Sequence, residues 1–290
     1  MLSKEEIKNN INNDWHITFE SQKEFRYGLC SFIVDICQKL NLSYNIASLA
    51  MLITNYFYVK NCYFNYNKLT MACAALLLSS KNETSQNKLA EISKEYSIFH
   101  NKDLDSEGLH KMKKHIGKYE IILLKELNYN VPDEFPYDYI YIYSDLLYPD
   151  NNQEIANLAV KIATDSYFTY ANNIHKNYVV ALACLVIAAK FLDIPSILDE
   201  NFRHINNMKK IHKKDMSIEE FNRAMNQYDI LSTYFTKENK EESSMAEDDD
   251  DYFERKTFAE KLYPGLKIED LIDCVGIITE FYEDMKEKAQ

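Results

Sequence analysis

Glycine and proline are scarce in this chain, 5 of each among 290 residues. Few positions are therefore forced into turns or left-handed backbone. Long apolar periodicities uninterrupted by those residues favour helices, so the sequence reads as all-α. Positive charge is also in short supply. Lys and Arg number 33 against 45 Asp and Glu, a formal net charge of −12, which repels a phosphate backbone unless a local basic patch is reserved for it. The nearest such run, "NNMKKIHKKD" (206–215), reads as a solvated stretch between helices. No C-x-x-C pair or metal-ligand spacing occurs among the 6 Cys (30, 37, 62, 73, 184, 274). Most lie within apolar periodic segments, where a free thiol behaves as a small hydrophobe, and a reducing compartment follows. In that setting the N-x-S/T matches at Asn41 and Asn82 carry no sugar. The opening "MLSKEEIKNNINND" lacks the apolar core of a signal peptide. The longest apolar run, Tyr178 to Ala189, is too short to span a bilayer. Nucleus or cytosol is the expected location.

Catalytic signatures are missing too. There is no G-x-G-x-x-G, Walker loop, H-E-x-x-H or G-x-S-x-G. His110 and His115 stand five apart, off a common helix face, and make poor joint metal ligands. The run Asp248–Asp251 has neither the turn glycine nor the alternating ligands of a calcium loop. The expectation is a protein that works by binding, with no catalytic residue, cofactor or metal.

Helical periodicity is what the chain does have. Residues 21–40 carry the stripe Phe25, Leu29, Phe32, Ile33, Ile36, Leu40. Helices follow near 43–60, 67–81 (behind Asn67 as N-cap), 86–99 and 106–128, the last with Met112, Ile116, Tyr119, Leu123 and Leu127 on one face. "NYNVPDEFP" (128–136) breaks the pattern and marks a boundary. The series then restarts. A shift of 109 residues aligns "IASLAMLITNYFY" (46–58) with "IANLAVKIATDSY" (155–167), and "ACAALLLSSK" (72–81) with "ALACLVIAAK" (181–190). Ten of the 36 positions from 46 to 81 match without a gap, Lys81 with Lys190 among them. The same shift places "KYEII" (118–122) beside "QYDIL" (227–231), Glu120 against Asp229. An unbroken register across three helices signals an internal duplication. The expected organisation is an N-terminal extension (1–20), a first repeat (21–130), a second (131–237, its last helix 217–237), an acidic mobile loop (238–255) and a C-terminal extension (256–290). In that extension a helix over 266–287 has Ile268, Leu271, Ile272, Val275, Ile278 and Tyr282 on one side.

In both copies the third helix is apolar nearly all round yet ends in a lysine. That arrangement, with "AALLLSSKNET" (74–84), "KYEIILLKELNYNV" (118–131) and "EFRYGLCSFIVDICQKLNLSYNIASLAMLITNYFY" (24–58), resembles the cyclins over roughly residues 15–237. The stretch "TDSYFTYANNIHKNYVVALACLVIAAKFLDIP" (164–195) is closest in flavour to the transcriptional T, K, L and Q types. The resemblance implies two tandem five-helix cyclin boxes with N- and C-terminal extension helices. It also implies a non-enzymatic role: binding and activating a cyclin-dependent kinase by way of the kinase C-helix and activation loop. Residue by residue, it implies that Lys81 and Glu120 meet the C-terminal end of the kinase's C-helix. Glu83 stands at the first of two family glutamates, and Tyr129, with Leu124 before it, at an aromatic beside the kinase. Arg26 stands at a structural first-helix arginine. Physics accounts for the lysine, because a helix C-terminus presents unpaired carbonyls and partial negative charge. A carboxylate suits the amides that follow. Departures from the family pattern are Thr84 at the second glutamate, Tyr56 where an arginine is usual, no evident aspartate partner for Arg26, and no mitotic docking patch. Two alternatives share the fold: a protein-binding scaffold that activates nothing, and a nucleic-acid binder like general transcription factor IIB, which the acidity disfavours. Ser244, followed by dense acidic charge, is a candidate phosphorylation site.

Overall fold

The computed structural model describes residues 2–10, 12–13, 16–84, 88–99, 105–196 and 266–289. Eleven helices and no strand occur among them: α1 (Lys4–Lys8), α2 (Phe19–Lys39), α3 (Tyr44–Lys60), α4 (Lys68–Thr84), α5 (Leu89–Phe99), α6 (Ser106–Glu126), α7 (Pro136–Leu147), α8 (Asn152–Ser166), α9 (Ala171–Ile174), α10 (Asn177–Phe191) and α11 (Ile268–Ala289). The all-α architecture is thus observed. The chain divides into two compact units, residues 1–188 with 270–290, and residues 189–269. The stretch 206–215, the helix expected over 217–237, Asp229, the acidic segment 238–255 and Ser244 lie outside the described residues.

Local chemistry sets the helix starts. Thr18 caps α2 by accepting from the Ser21 amide, Ser43 caps α3 from Ile46, and Asp105 caps α6 from Gly108. Ser3 and Glu6 form a reciprocal capping box at α1. Asn67 accepts from the Thr70 amide at 2.9 Å, as expected at the head of α4. Pro136 opens α7, where its missing N–H costs nothing.

Helix α4 sits centrally, touching α2, α3, α5 and α6. Every residue from Met71 to Ser80 is buried, which is why no polar face appears in its sequence. It also continues past Lys81 to Thr84, whose hydroxyl back-bonds to the Ser80 carbonyl at 2.8 Å. Helix α10 begins at Asn177, 109 residues after Lys68 at the start of α4, and is buried from Tyr178 to Ala189. The starts of α4 and α10 thus share the 109-residue offset read from the sequence.

The polar seam within the first unit was not legible beforehand. Arg26 is buried; its Nε donates to the Phe168 carbonyl at 2.8 Å and its guanidinium lies 4.2 Å from the Tyr170 ring centre. Asn55 on α3 donates to the carbonyls of Tyr167 (2.9 Å) and Thr169 (3.3 Å). In place of a carboxylate, Arg26 is held by a carbonyl and an aromatic face.

Helix α11 departs from its expected stripe. Leu271, Cys274, Ile278 and Phe281 are buried, whereas Ile272 is 56% exposed. Its polar residues decide the rotation. Asp284 and Glu280 pair with the buried Lys23 at 2.5 and 3.0 Å, Tyr27 donates to Asp284, and Tyr282 donates to Asp165 at 2.8 Å. Asp273 takes Lys4 and His175 at 2.7 and 2.8 Å. Burial opposes the charge on Asp284 and Asp273, yet the bonds from Lys23 and Tyr27, and from Lys4 and His175, hold both carboxyls below their ordinary range.

Candidate functional site

The tip of α4 carries the residues that the sequence singles out. Lys81 lies in the last turn of α4, and its Nζ reaches Glu120 Oε1 on α6 at 2.7 Å. The lysine side chain is 40% exposed and the glutamate 12%. Expected from the resemblance to contact one partner, the two residues contact each other. The bond leaves both groups with spare capacity, since an ammonium has three donors and a carboxylate about four acceptor sites. Such a pair can keep its own contact while offering donors to carbonyls and an acceptor to amides.

Below the pair, α6 presents an apolar strip. Leu124 is partly buried beside the fully buried Leu123. Ile121, which sequence reasoning did not single out, is 53% exposed one residue beyond Glu120. The signal was available: a branched aliphatic breaks the polar face of the helix. Tyr129 follows just past the helix end and is 68% exposed. Its amide donates to the Leu124 carbonyl at 2.8 Å, and both Asn128 (φ 51°) and Tyr129 (φ 60°) occupy left-handed backbone. Asparagine tolerates that region, whereas a tyrosine there is an outlier. The tight reversal throws the ring out into solvent.

Glu83 stands apart from the pair. It accepts from Asn45 Nδ2 of α3 at 3.0 Å. Arg26 lies in the buried seam already described, away from any surface. The structure thus brings Lys81 to Glu120 and Leu124 to Tyr129, sets Glu83 toward α3, and keeps Arg26 internal.

All six cysteines are buried, and burial pushes the thiols of Cys30 and Cys37 up to about 12 and raises those of Cys73, Cys184 and Cys274 as well. Among the described residues no group of three or more His, Cys, Asp or Glu could hold a metal ion, and no helix is long and apolar enough to cross a membrane. What this surface can do chemically is engage another chain's backbone through paired charges flanked by apolar contacts.

Comparison with known proteins places that surface in context. Residues 1–132 match the family described as cyclin, N-terminal domain. The chain is similar to mouse Cyclin-T1, 22% identical over 203 residues that cover 66% of this chain and 27% of that protein. It therefore spans about a quarter of that relative's length. Among solved structures, it is similar to a chain of the yeast RNA Pol II CTD kinase CTDK-1 complex (TM-score 0.59, 20% identity, 71% of this chain and 67% of that one). A second is a chain of the Chaetomium thermophilum CAK complex bound to ATP-gamma-S (TM-score 0.50, 15% identity, 92% and 78%). These likenesses share the helical fold described above. Residues 1–132, which hold the buried α4 and the lysine at its tip, are thus similar to a cyclin N-terminal domain.

Proposed function

We propose that this chain is a non-catalytic regulatory subunit that binds and activates a cyclin-dependent serine/threonine kinase in the control of transcription, in the nucleus. The Lys81–Glu120 pair at the rim of an exposed apolar strip carries this reading. Lys81 would meet the carbonyls at the C-terminal end of the kinase's C-helix, and Glu120 the amides that follow. Ile121, Leu124 and Tyr129 would supply the desolvated contact around them. The first repeat, 21–130, is the kinase-binding one; the second, 131–237, completes the tandem. Activation is a population shift: the chain binds the active kinase conformer more tightly and so enriches it. The relation to kinase-complex structures supports the partner class, and the likeness to Cyclin-T1 supports the transcriptional role.

A scaffold that binds a kinase without activating it is the second reading, favoured by Thr84. Its hydroxyl is turned back onto the Ser80 carbonyl where the family's second glutamate would offer a carboxylate. Affinity purification from the native source, mass spectrometry of the bound kinase, and an activity assay with and without this chain test both. Co-purification with a marked gain in kinase activity supports the proposal; binding without a gain supports the scaffold. Retardation of duplex DNA with no bound kinase would overturn both.

A further inference from the structure

The outward face of α6 carries a charge opposite to that of the chain as a whole. The net charge is −12, yet α6 holds five lysines against three glutamates. Lys111, Lys114, Lys118 and Lys125 recur at helical spacing and form one row, on the side turned away from the buried Ile116 and Leu123. All four are exposed. At 1.5 Å per residue the row runs about 21 Å.

An ordinary solvated helix face intersperses acids and bases, so that neighbours one turn apart attract. This row does not. Lys111 pairs with Glu107 at 2.7 Å, whereas Lys114, Lys118 and Lys125 have no ion pair among the described residues. Glu120 is taken by Lys81 on another face of the helix. Lys114 has a like charge three residues before it and another four residues after it, which weakens the helix that bears them. Such a face is suited to an anion supplied from outside.

The shape of the row discriminates among anions. A duplex presents phosphates on two strands, and a single nucleic-acid strand is held in a basic groove with aromatic platforms under its bases. Here the cations come from one convex helix, and no aromatic stands in the row. Tyr119 is engaged within the protein, its hydroxyl accepting from the Asn67 amide at 3.2 Å and its ring edge-on to Tyr66. Between Lys118 and Lys125 lies the half-buried Ile122, which suits an aliphatic side chain. Salt screens charge over about 8 Å, so a ligand lying on the row meets these lysines rather than the distant acids of the chain.

We propose that this face of α6 docks an acidic segment of a partner protein. About six extended residues rich in Asp and Glu would cover the row, at about 3.3 Å per residue, with one aliphatic side chain over Ile122. Glu120 and Leu124 occupy a different face of α6, and the proposal does not depend on the kinase reading.

The probe is the fluorescein-labelled peptide Asp-Glu-Asp-Leu-Asp-Glu-Asp, with Asn-Gln-Asn-Leu-Asn-Gln-Asn as the neutral counterpart, and the full chain is titrated to about 1 mM. Fluorescence anisotropy should rise to saturation with the acidic peptide, weaken as salt is added, and stay flat with the neutral one. Lys114→Glu with Lys118→Glu should weaken binding about tenfold or more. Lys39→Glu with Lys161→Glu changes the net charge equally, at exposed lysines of α2 and α8, and should leave binding within about twofold. Lys114→Gln with Lys118→Gln removes the charges without creating repulsion; it should also weaken binding, and it stands in if the reversed pair melts early. The proposal is overturned by the absence of saturable binding, by equal binding of the neutral peptide, or by equal losses in the two charge-reversed pairs. Tighter binding of an oligouridylate strand under the same conditions would overturn it in favour of nucleic acid.

Discussion

The tips of α4 and α10 hold the same lysine in the same repeat register and differ in what surrounds it. Lys81 is ion-paired to Glu120 and continues into Asn82 and Glu83 on the same helix. Lys190 is exposed with no ion pair among the described residues, and the helix ends one residue later at Phe191, itself 64% exposed. The backbone then reverses through Asp193 (φ 53°), with the Ile194 amide donating to the Ala189 carbonyl at 2.9 Å. That C-terminal reversal satisfies the helix's own carbonyls. The difference teaches that a duplicated core does not duplicate the pairing at its tip. Burial constrains the helix body in both copies, while the tip is free to diverge.

The helix bodies should respond alike and most strongly. Leu77 in α4 is completely buried, and Leu77→Ala should destabilise the protein by about 2–5 kcal/mol. Val186, its register partner in α10, is equally buried, and truncating it to Ala should also lower stability, by less because fewer atoms are removed. Denaturant melts measure both, and a negligible shift for Leu77→Ala would break the picture of α4 as the central helix.

At the tips the two copies should part. Lys81→Glu sets two carboxylates against each other and should weaken kinase capture by about 2–5 kcal/mol, roughly 30-fold or more, the cost of unpaired charge at a desolvated contact. Lys81→Glu combined with Glu120→Lys rebuilds the pair in reverse. It should melt close to wild type yet fail to activate, because the anion would now face the partner's carbonyls and the cation its amides. Lys190→Glu should leave capture unchanged. The assignment fails if Lys190→Glu abolishes capture and Lys81→Glu spares it.

The smallest effect concerns Tyr129. Glycine adopts left-handed backbone without the steric cost a tyrosine bears, so Tyr129→Gly should gain up to about 1 kcal/mol in thermal or denaturant melts. It should lose kinase affinity at the same time. A variant that is less stable would show that the ring packs against its own chain rather than waiting for a partner.

Much of the fold was legible from pattern. A 3.6-residue stripe places a helix, Ser, Thr, Asp or Asn marks its start, and an apolar run without a polar face must be enclosed; α2 to α6 and α10 follow from those rules. The stripe on α11 misled because periodicity ranks apolar residues without knowing what covers them. Lys23, Tyr27 and Asp165 rotate that helix until Ile272 faces water. The candidate site divides in the same way. Lys81, Glu120 and Tyr129 were visible as residue types at telling positions.

The sequence by itself determined the all-helical class, the 109-residue register and the charged tip on an apolar helix, because each is a local or periodic property of the chain. Only the tertiary structure decided that Lys81 and Glu120, 39 residues apart, bond to each other, that Arg26 rests on a carbonyl and a tyrosine ring, and that Tyr44 packs on Tyr137 while Asn45 bonds to Glu83. Those are contacts between distant segments. Which donor meets which acceptor is fixed by how helices of given shape pack, and no local periodicity encodes it.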